Sequence, residues 1–324
     1  MGKSIRKIVN WKQYNQALVS RGSLTFWVDE AAVKAWYCHE HHGGRGRGFS
    51  YSDVAIETAL MVKGIFNLSL RALERFLNSL FTLMSVPLKS PDYTSISKRA
   101  KTVNVKYRNP SRGPITHVVV DATGLKVFGE GEWKTRKHGS EKRRTWRKLH
   151  LAIDASTHEV VAAEVSLVSV GDNEVLPTLL NPLRRKIMLV SADGAYDTKG
   201  CYQLLRRKGC KATIPPRSNA GLREKGHPRN EAVEALKTGQ LKQWKIDNGY
   251  HQRSLAETAM GRYKQLNSPM LSLCGYNRQV AEALAGVKAM NKVIRLGMPV
   301  RQQLASISCL LAEVIANSTK TKSG

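Results

Sequence analysis

Thr116-His-Val-Val-Val-Asp121 is a short apolar run that closes on a carboxylate, the pattern of a buried strand that delivers an acid at its end. Ile187-Met-Leu-Val-Ser-Ala-Asp193 repeats that pattern further along. Lys148-Leu-His-Leu-Ala-Ile-Asp154 and residues 159–168 read as two more strands, and Lys211-Ala-Thr-Ile214 as a fifth, before Pro215-Pro216. The first three strands follow one another directly, which implies a meander. Gly171-Asp172-Asn-Glu174 opens a helix predicted to run through Leu183, and 199–207 forms another.

Three strands, then helix, strand, helix, strand and further helices is the element order of an RNase-H-like layered α/β domain. The predicted fold class is therefore α/β, with a mixed five-stranded sheet flanked by helices over 110–316. An irregular, charged insertion falls at about 216–245, and 317–324 reads as a tail. Ahead of this domain, residues 1–49 form an arm that closes on Gly43-Gly-Arg-Gly-Arg-Gly48. Residues 50–109 have helical texture: Ser52-Asp53 marks a start, and Leu70, Leu73, Leu77, Leu80, Phe81 and Met84 recur at helical spacing. After the breaks at Pro87 and Ser90-Pro91, a basic helix places Ile96, Ala100 and Val103 inward and Ser95, Lys98, Arg99 and Thr102 outward. Two helices, a turn and a basic polar helix resemble helix-turn-helix geometry, with Lys98 and Arg99 as DNA contacts. A helical bundle packed on the rest of the chain accounts for the same pattern.

Functional groups in open α/β sheets collect at strand ends, so neighbouring strands can bring Asp121 and Asp193 together. Two adjacent carboxylates repel unless a cation joins them. An all-oxygen site suits Mg²⁺ or Mn²⁺, and two ions about 3.5–4 Å apart serve an in-line phosphodiester displacement. A third acid comes from Tyr250-His-Gln-Arg253-Ser-Leu-Ala-Glu257, continued to Lys264. On one helix, Tyr250, Arg253, Glu257 and Lys264 fall within an arc of roughly 60°. Arg253 is one turn from Glu257, placed to orient it or to clamp a phosphate, and Lys264 is placed to meet a DNA phosphate. The other acids read as structural: Asp154 as a turn residue, Asp172 and Glu174 as a helix N-terminus, Asp197 as a helix cap.

A chain with 52 Lys and Arg against 25 Asp and Glu, formally +27, is built for a polyanion. Between the first two strands the basic residues Lys134, Arg136, Lys137, Lys142, Arg143, Arg144, Arg147 and Lys148 meet one acid, Glu141. This stretch reads as a hairpin arm laid along DNA, flanked by Trp133 and Trp146, which stack on an unpaired base or pack their own hairpin. The five cysteines are scattered, which argues against a disulfide frame. Cys38-His39-Glu40-His41-His42 is too contiguous to close a zinc tetrahedron. No apolar run approaches ~18 residues and the start lacks a signal-like stretch, so the reading is a cytoplasmic, nucleoid-associated protein with no membrane partner.

Val120-Asp121-Ala-Thr-Gly-Leu-Lys-Val-Phe-Gly-Glu-Gly-Glu-Trp133, Arg144-Thr-Trp-Arg-Lys-Leu-His150, Ala192-Asp-Gly-Ala-Tyr-Asp197, and Tyr250, Arg253, Glu257 and Lys264 together resemble bacterial insertion-sequence transposases of the IS five family, of the DDE class. The resemblance covers roughly residues 50–300. It implies that Asp121, Asp193 and Glu257 are catalytic and bind two divalent ions, with Tyr250, Arg253 and Lys264 as the signature around the last acid. It implies nicking at the element's ends and attack of the freed 3′-hydroxyl on target DNA. The partners would be double-stranded DNA, as terminal inverted repeats and as target, with a homo-oligomer holding two ends. A metal-dependent structure-specific nuclease needs the acids without joining, and a DNA-binding regulator needs neither.

Overall fold

The computed structural model describes residues 6–39, 48–111, 113–127 and 146–303. The chain divides into two compact units, one joining the stretch up to Phe26 with the stretch from Val293, the other running from Trp27 to Lys292. In chain order the elements are β1 Arg6–Ile8, α1 Trp11–Ser20, α2 Leu24–Trp27, α3 Glu30–Lys34, α4 Asp53–Ile65, α5 Leu70–Leu83, α6 Tyr93–Arg99, β2 Ile115–Val127, β3 Trp146–Asp154 and β4 Val160–Leu167. There follow α7 Asp172–Leu180, β5 Ile187–Ser191, α8 Lys199–Arg207, β6 Lys211–Thr213, α9 Arg229–Lys237, α10 Leu241–Asp247, α11 Ser254–Asn267, β7 Met270–Leu271, α12 Tyr276–Leu296 and β8 Arg301–Gln303.

In the smaller unit, β1 pairs antiparallel with β8. The Asn10 amide closes the ribbon by donating to Met298 O at 2.9 Å and accepting from Val300 N at 2.7 Å.

In the larger unit the sheet order is β4-β3-β2-β5-β6, with β7 added on β2. β2, β3 and β4 are antiparallel neighbours, while β2–β5 and β5–β6 are parallel. That mixed topology is the RNase-H-like sheet expected from the element order. Val118, Val120, Ala152, Ala162 and Val190 meet Leu176, Leu179 and Leu180 of α7 and Leu204 and Leu205 of α8 in one buried cluster. Successive residues of a strand face opposite sides, so His117, Val119 and Asp121 point to the other face, where α11 lies over β2 and β3.

The helical region is packed rather than free-standing. α4, α5 and α6 are each capped by a side chain, Ser52, Ser69 and Asp92. Leu73, Leu77, Leu80 and Phe81 form the buried stripe of α5 that their spacing predicts. α4 is buried from Ala55 to Lys63. Its two buried charges are paired with α12: Lys63 with Glu282 at 2.6 Å, and Glu57 with Lys288. A charge buried without its partner would be strongly destabilising, so these pairs fix how α4 and α12 lie together.

The stretch expected to be an irregular insertion contains α9 and α10. Only Ala232, Val233 and Trp244 give them apolar anchors, alongside the buried Arg229, which leaves little periodicity to read.

His150 on β3 is fully enclosed, bonded through Nε2 to Ser166 Oγ at 2.8 Å. Burial pushes its pKa down to about 4; Asp172 pulls it up and Lys148 down. The folded state thus holds His150 neutral while the unfolded chain takes up a proton near pH 6.5. Stability from this group is complete above about pH 6.5 and is lost as pH falls toward 4. Thermal melts should show that loss, and His150→Gln should flatten the profile by roughly 3 kcal/mol between pH 6.5 and 4. An acid slope identical in the variant would show that His150 is not its source.

Candidate active site

The parallel register between β2 and β5 places Val118 opposite Val190 and Val119 opposite Ser191. The pairing ends there, two residues short of Asp121 and Asp193, and the two acids remain close enough for Asp193 to raise the Asp121 carboxyl. β5 stops at Ser191, whereas β2 runs on to Val127 because β3 pairs with it through Lys126. Asp121 is therefore not the strand terminus that its sequence suggests. It stands at the point where the β5 edge opens, and that edge is paired again only at Lys126 and Val127, by β7. Asp193 caps the short 3₁₀ turn Gly194–Tyr196, with Oδ1 accepting from Ala195 N at 2.9 Å.

The third acid arrives through a change of helix type. Gly249, at φ +64°, turns the chain out of α10 into a 3₁₀ turn, Tyr250–Arg253, and the α-helix begins only at Ser254. The single helix expected from Tyr250 onward is corrected to these two pieces. The signature face survives, since at three residues per turn Tyr250 eclipses Arg253, and in the following α-helix Glu257 and Lys264 keep that direction.

Arg253 donates from Nη1 to Asp121 Oδ2 at 2.7 Å and from Nη2 to Glu257 Oε1. Asp121 Oδ1 accepts from the Ala122 amide at 2.8 Å. Side-chain exposure is 16% for Asp121, 22% for Arg253 and 58% for Glu257, so the acids grade from a half-buried floor to an open rim.

Burial raises the Asp121 carboxyl above the usual range; the Ala122 amide and Arg253 lower it, and Asp193 and Glu257 raise it. Tyr250 is likewise held up by burial, lowered by Arg253 and raised by Asp193 and Asp121. Arg253 feels Tyr250, Asp121, Glu257 and Asp193, all of which favour its charged form against desolvation. These five side chains act as one electrostatic cluster.

Two supports escaped the sequence reading. His117, on the Asp121 face of β2, bonds through Nδ1 to Gln252 Oε1 at 2.7 Å and through Nε2 to Ser191 Oγ at 2.8 Å. It ties both acid-bearing strands to the turn that carries Arg253. The period-two pattern 117, 119, 121 was the available signal. Asp197 does not cap α8, a role that Thr198 fills. It is buried against Arg229, with contacts of 2.5 and 2.8 Å. The small 3₁₀ turn uses up the residues between Asp193 and Thr198, leaving Asp197 inward. Asp154 and Glu174 do keep their expected local roles, accepting from Ser156 N at 2.9 Å and Gly171 N at 3.3 Å.

Lys98 is exposed, on the outward side expected of it, but Arg99 is corrected. It is 9% exposed, paired with Asp53, bonded to Tyr51 O at 2.8 Å and stacked on Phe49. It ties α6 to the start of α4, facing inward because Asp53, the Tyr51 carbonyl and the Phe49 ring all take up its guanidinium. Arg147 and Lys148 belong to β3 and are held internally, Arg147 by Gln279 at 2.8 Å and Lys148 by Asp172 at 2.9 Å. They are not free members of the arm. Trp146 packs on its own hairpin, over Gly124. Lys264 is half-buried on α11 with no ion-pair partner among the described residues. Trp133, Lys134, Arg136, Lys137, Lys142, Arg143 and Arg144 lie outside the described residues, as do the His41-His42 run and the tail at 317–324.

Among the described residues, no three His, Cys, Asp or Glu side chains are gathered closely enough to form a ready-made metal site. Arg253 stands between Asp121 and Glu257, and Asp193 acts on Asp121 electrostatically. The donor set nonetheless fits a hard divalent cation: it is all carboxylate oxygen, and Asp121 is disfavoured in its charged form by burial and by both neighbouring acids. Added positive charge relieves that repulsion.

The strand order β4-β3-β2-β5-β6, with Asp121, Asp193 and Glu257 in one electrostatic cluster, defines the RNase-H-like class of fold. Two models of the transposase DDE domain match this chain, one over residues 19–130 and the other over 112–292. The second spans more than half the chain, which belongs to that family and is a DDE transposase. Among solved structures, the chain is similar to the piggyBac transposase synaptic complex with hairpin DNA, at 10% identity, 90% of this chain and 77% of that one, and TM-score 0.38. It is also similar to the Mos1 transposase paired-end complex with left transposon end, at 10% identity, 73% and 83% coverage, and TM-score 0.19.

If Arg253 is the counter-charge of Asp121, Arg253→Gln should move the Asp121 carboxyl further up. A carbon-13 titration of that carboxyl checks the shift. An unmoved or lowered midpoint would contradict the assignment.

Proposed function

We propose that this transposase binds the terminal inverted repeats of an insertion sequence, nicks the element ends and joins the freed 3′-hydroxyls to target DNA. The observation that carries the reading is the cluster in which Arg253 joins Asp121 to Glu257 while Asp193 acts electrostatically on Asp121. Asp121, Asp193 and Glu257 would hold two Mg²⁺ or Mn²⁺ ions. Bound there, the ions would activate the attacking oxygen and stabilise the leaving oxygen.

The chain's own groups do the rest. Arg253 orients Glu257 across one helical turn and keeps Asp121 aimed at the notch in the sheet. Tyr250, whose raised pKa keeps its phenol protonated at neutral pH, offers a hydrogen bond to a phosphate oxygen. Lys264, two turns beyond Glu257, meets the DNA backbone as a point charge, and Lys98 meets it from α6. The basic residues between β2 and β3, Lys134, Arg136, Lys137, Arg143 and Arg144, extend that contact along the duplex. A homo-oligomer would hold two ends together. The site's resemblance to the IS five family and the cytoplasmic, nucleoid-associated setting belong to the same reading. No helix among the described residues is long and apolar enough to cross a membrane.

A labelled duplex carrying the element's terminal repeat, incubated with Mg²⁺ or Mn²⁺, tests this. The unaltered protein should nick and join it, and Glu257→Gln, Asp121→Asn and Asp193→Asn should each lower both steps by about 10²- to 10³-fold, the scale of losing a principal transition-state contact. Nicking without joining would favour a nuclease. Binding with no metal-dependent chemistry would favour a regulator.

A further inference from the structure

A second concave basic feature lies outside the catalytic cluster. Helix α8 presents Lys199, Tyr202 and Arg206 along one face, at i, i+3 and i+7. The loop that leads into α9 folds Arg223, Lys225 and His227 against that face, enclosing a cavity of about 840 Å³. Glu224 is the one acid on its wall. Lys199, Arg206 and Lys225 are exposed and have no ion-pair partner among the described residues. Buried Tyr202 forms the floor, with the Arg223 guanidinium 5.6 Å from its ring centre and the His227 ring at 5.1 Å.

The accumulated positive potential has an internal witness. His227 is held below its usual pKa by partial burial and then by Arg223, Arg229 and Arg206, against Glu224 alone. Unneutralised cations arranged around a cleft cost self-repulsion in the free protein, and an anion there removes that cost. Lys199 and Arg206 are roughly 10 Å apart along the helix axis at 1.5 Å per residue. Phosphates on one strand of duplex DNA follow every 3.4 Å along its axis, so this edge of the cleft spans about three of them. An isolated phosphate or a single nucleotide would leave most of these cations unmatched.

We propose that the cleft between α8 and the 222–228 loop is a second DNA-backbone site, gripping duplex DNA away from the scissile phosphate. The site rests on the reading that DNA is the substrate, and adds to it a contact made by none of the signature residues. It is mechanically continuous with the catalytic cluster: Arg229 at the end of the same loop clamps Asp197, four residues beyond Asp193. DNA held in the cleft is therefore attached to the rigid segment that presents the second acid. Such a grip serves DNA flanking the cut or the target duplex, and recognises backbone rather than bases.

The test compares the full-length protein with Lys199→Ala/Arg206→Ala/Lys225→Ala. All three residues are exposed, so the fold should tolerate the change. A control of equal charge, Arg184→Ala/Lys186→Ala/Lys211→Ala, alters exposed cations at or near the opposite ends of β5 and β6. Binding of a 40-base-pair duplex is measured without divalent metal over a range of salt concentrations, and end nicking is then measured with metal. The cleft variant should lower the slope of log K against log salt by about 2 to 3, near 0.9 for each lost phosphate contact. The control should leave that slope unchanged. A cleft variant with the slope of the unaltered protein, while the unaltered protein binds and nicks, would overturn the cleft and leave the transposase reading standing. Equal slope losses in both variants would also overturn it, because net charge alone would then explain the effect. Failure of the unaltered protein to bind duplex would overturn both.

Discussion

The parallel pairing of β2 with β5 is the constraint from which the rest of the site follows. Backbone hydrogen bonds fix Val119 opposite Ser191, and a slip of one residue would turn every side chain of one strand to the other face. The apolar residues at 118, 120 and 190 forbid that slip because they are buried in the cluster beneath α7 and α8. The position of the two strand-borne acids is thus enforced by hydrophobic packing on the opposite side of the sheet. His117 adds a polar tie on the acid face itself, joining Ser191 to the turn before α11.

That turn supplies a counter-charge to a cluster that would otherwise repel itself. Asp121 is half-buried and close to two more acids, and the guanidinium of Arg253 answers it from a rigid 3₁₀ turn. A planar fork suits two carboxylates better than an ammonium does, so Lys at 253 would not be an equivalent replacement. The guanidinium thus supplies positive charge to a cluster of acids at one notch in the sheet edge.

Much of this was legible in the sequence, and unevenly so. β2 and β5 could be read because each carries a continuous apolar run, Val118–Val120 and Ile187–Val190, and α8 was bounded correctly because Thr198 caps it and its apolar residues keep helical spacing. Asp121, Asp193 and Glu257 stood out as acids placed where apolar or amphipathic patterns put them at an edge. What was not legible depends on contacts across long stretches of chain. Nothing local to Arg99 marks it as the inward partner of Asp53, and nothing local to Asp197 reveals Arg229. The extension of β2 past Asp121 was hidden because Asp121 and Gly124, residues depleted in strands, interrupt the apolar run, while β3 pairs with them regardless. The helices between 229 and 247 were missed because few of their residues are buried.

The central claim is that Asp121, Asp193 and Glu257 form one divalent-cation site. Replacing Mg²⁺ with Fe²⁺ and generating hydroxyl radicals at the bound ion cuts the polypeptide wherever the backbone is close to it. The account predicts cuts clustered near all three acids at once, suppressed by excess Mg²⁺ and lost together in Asp121→Asn. Cuts at only one of the three segments, or cuts indifferent to Mg²⁺, would contradict it.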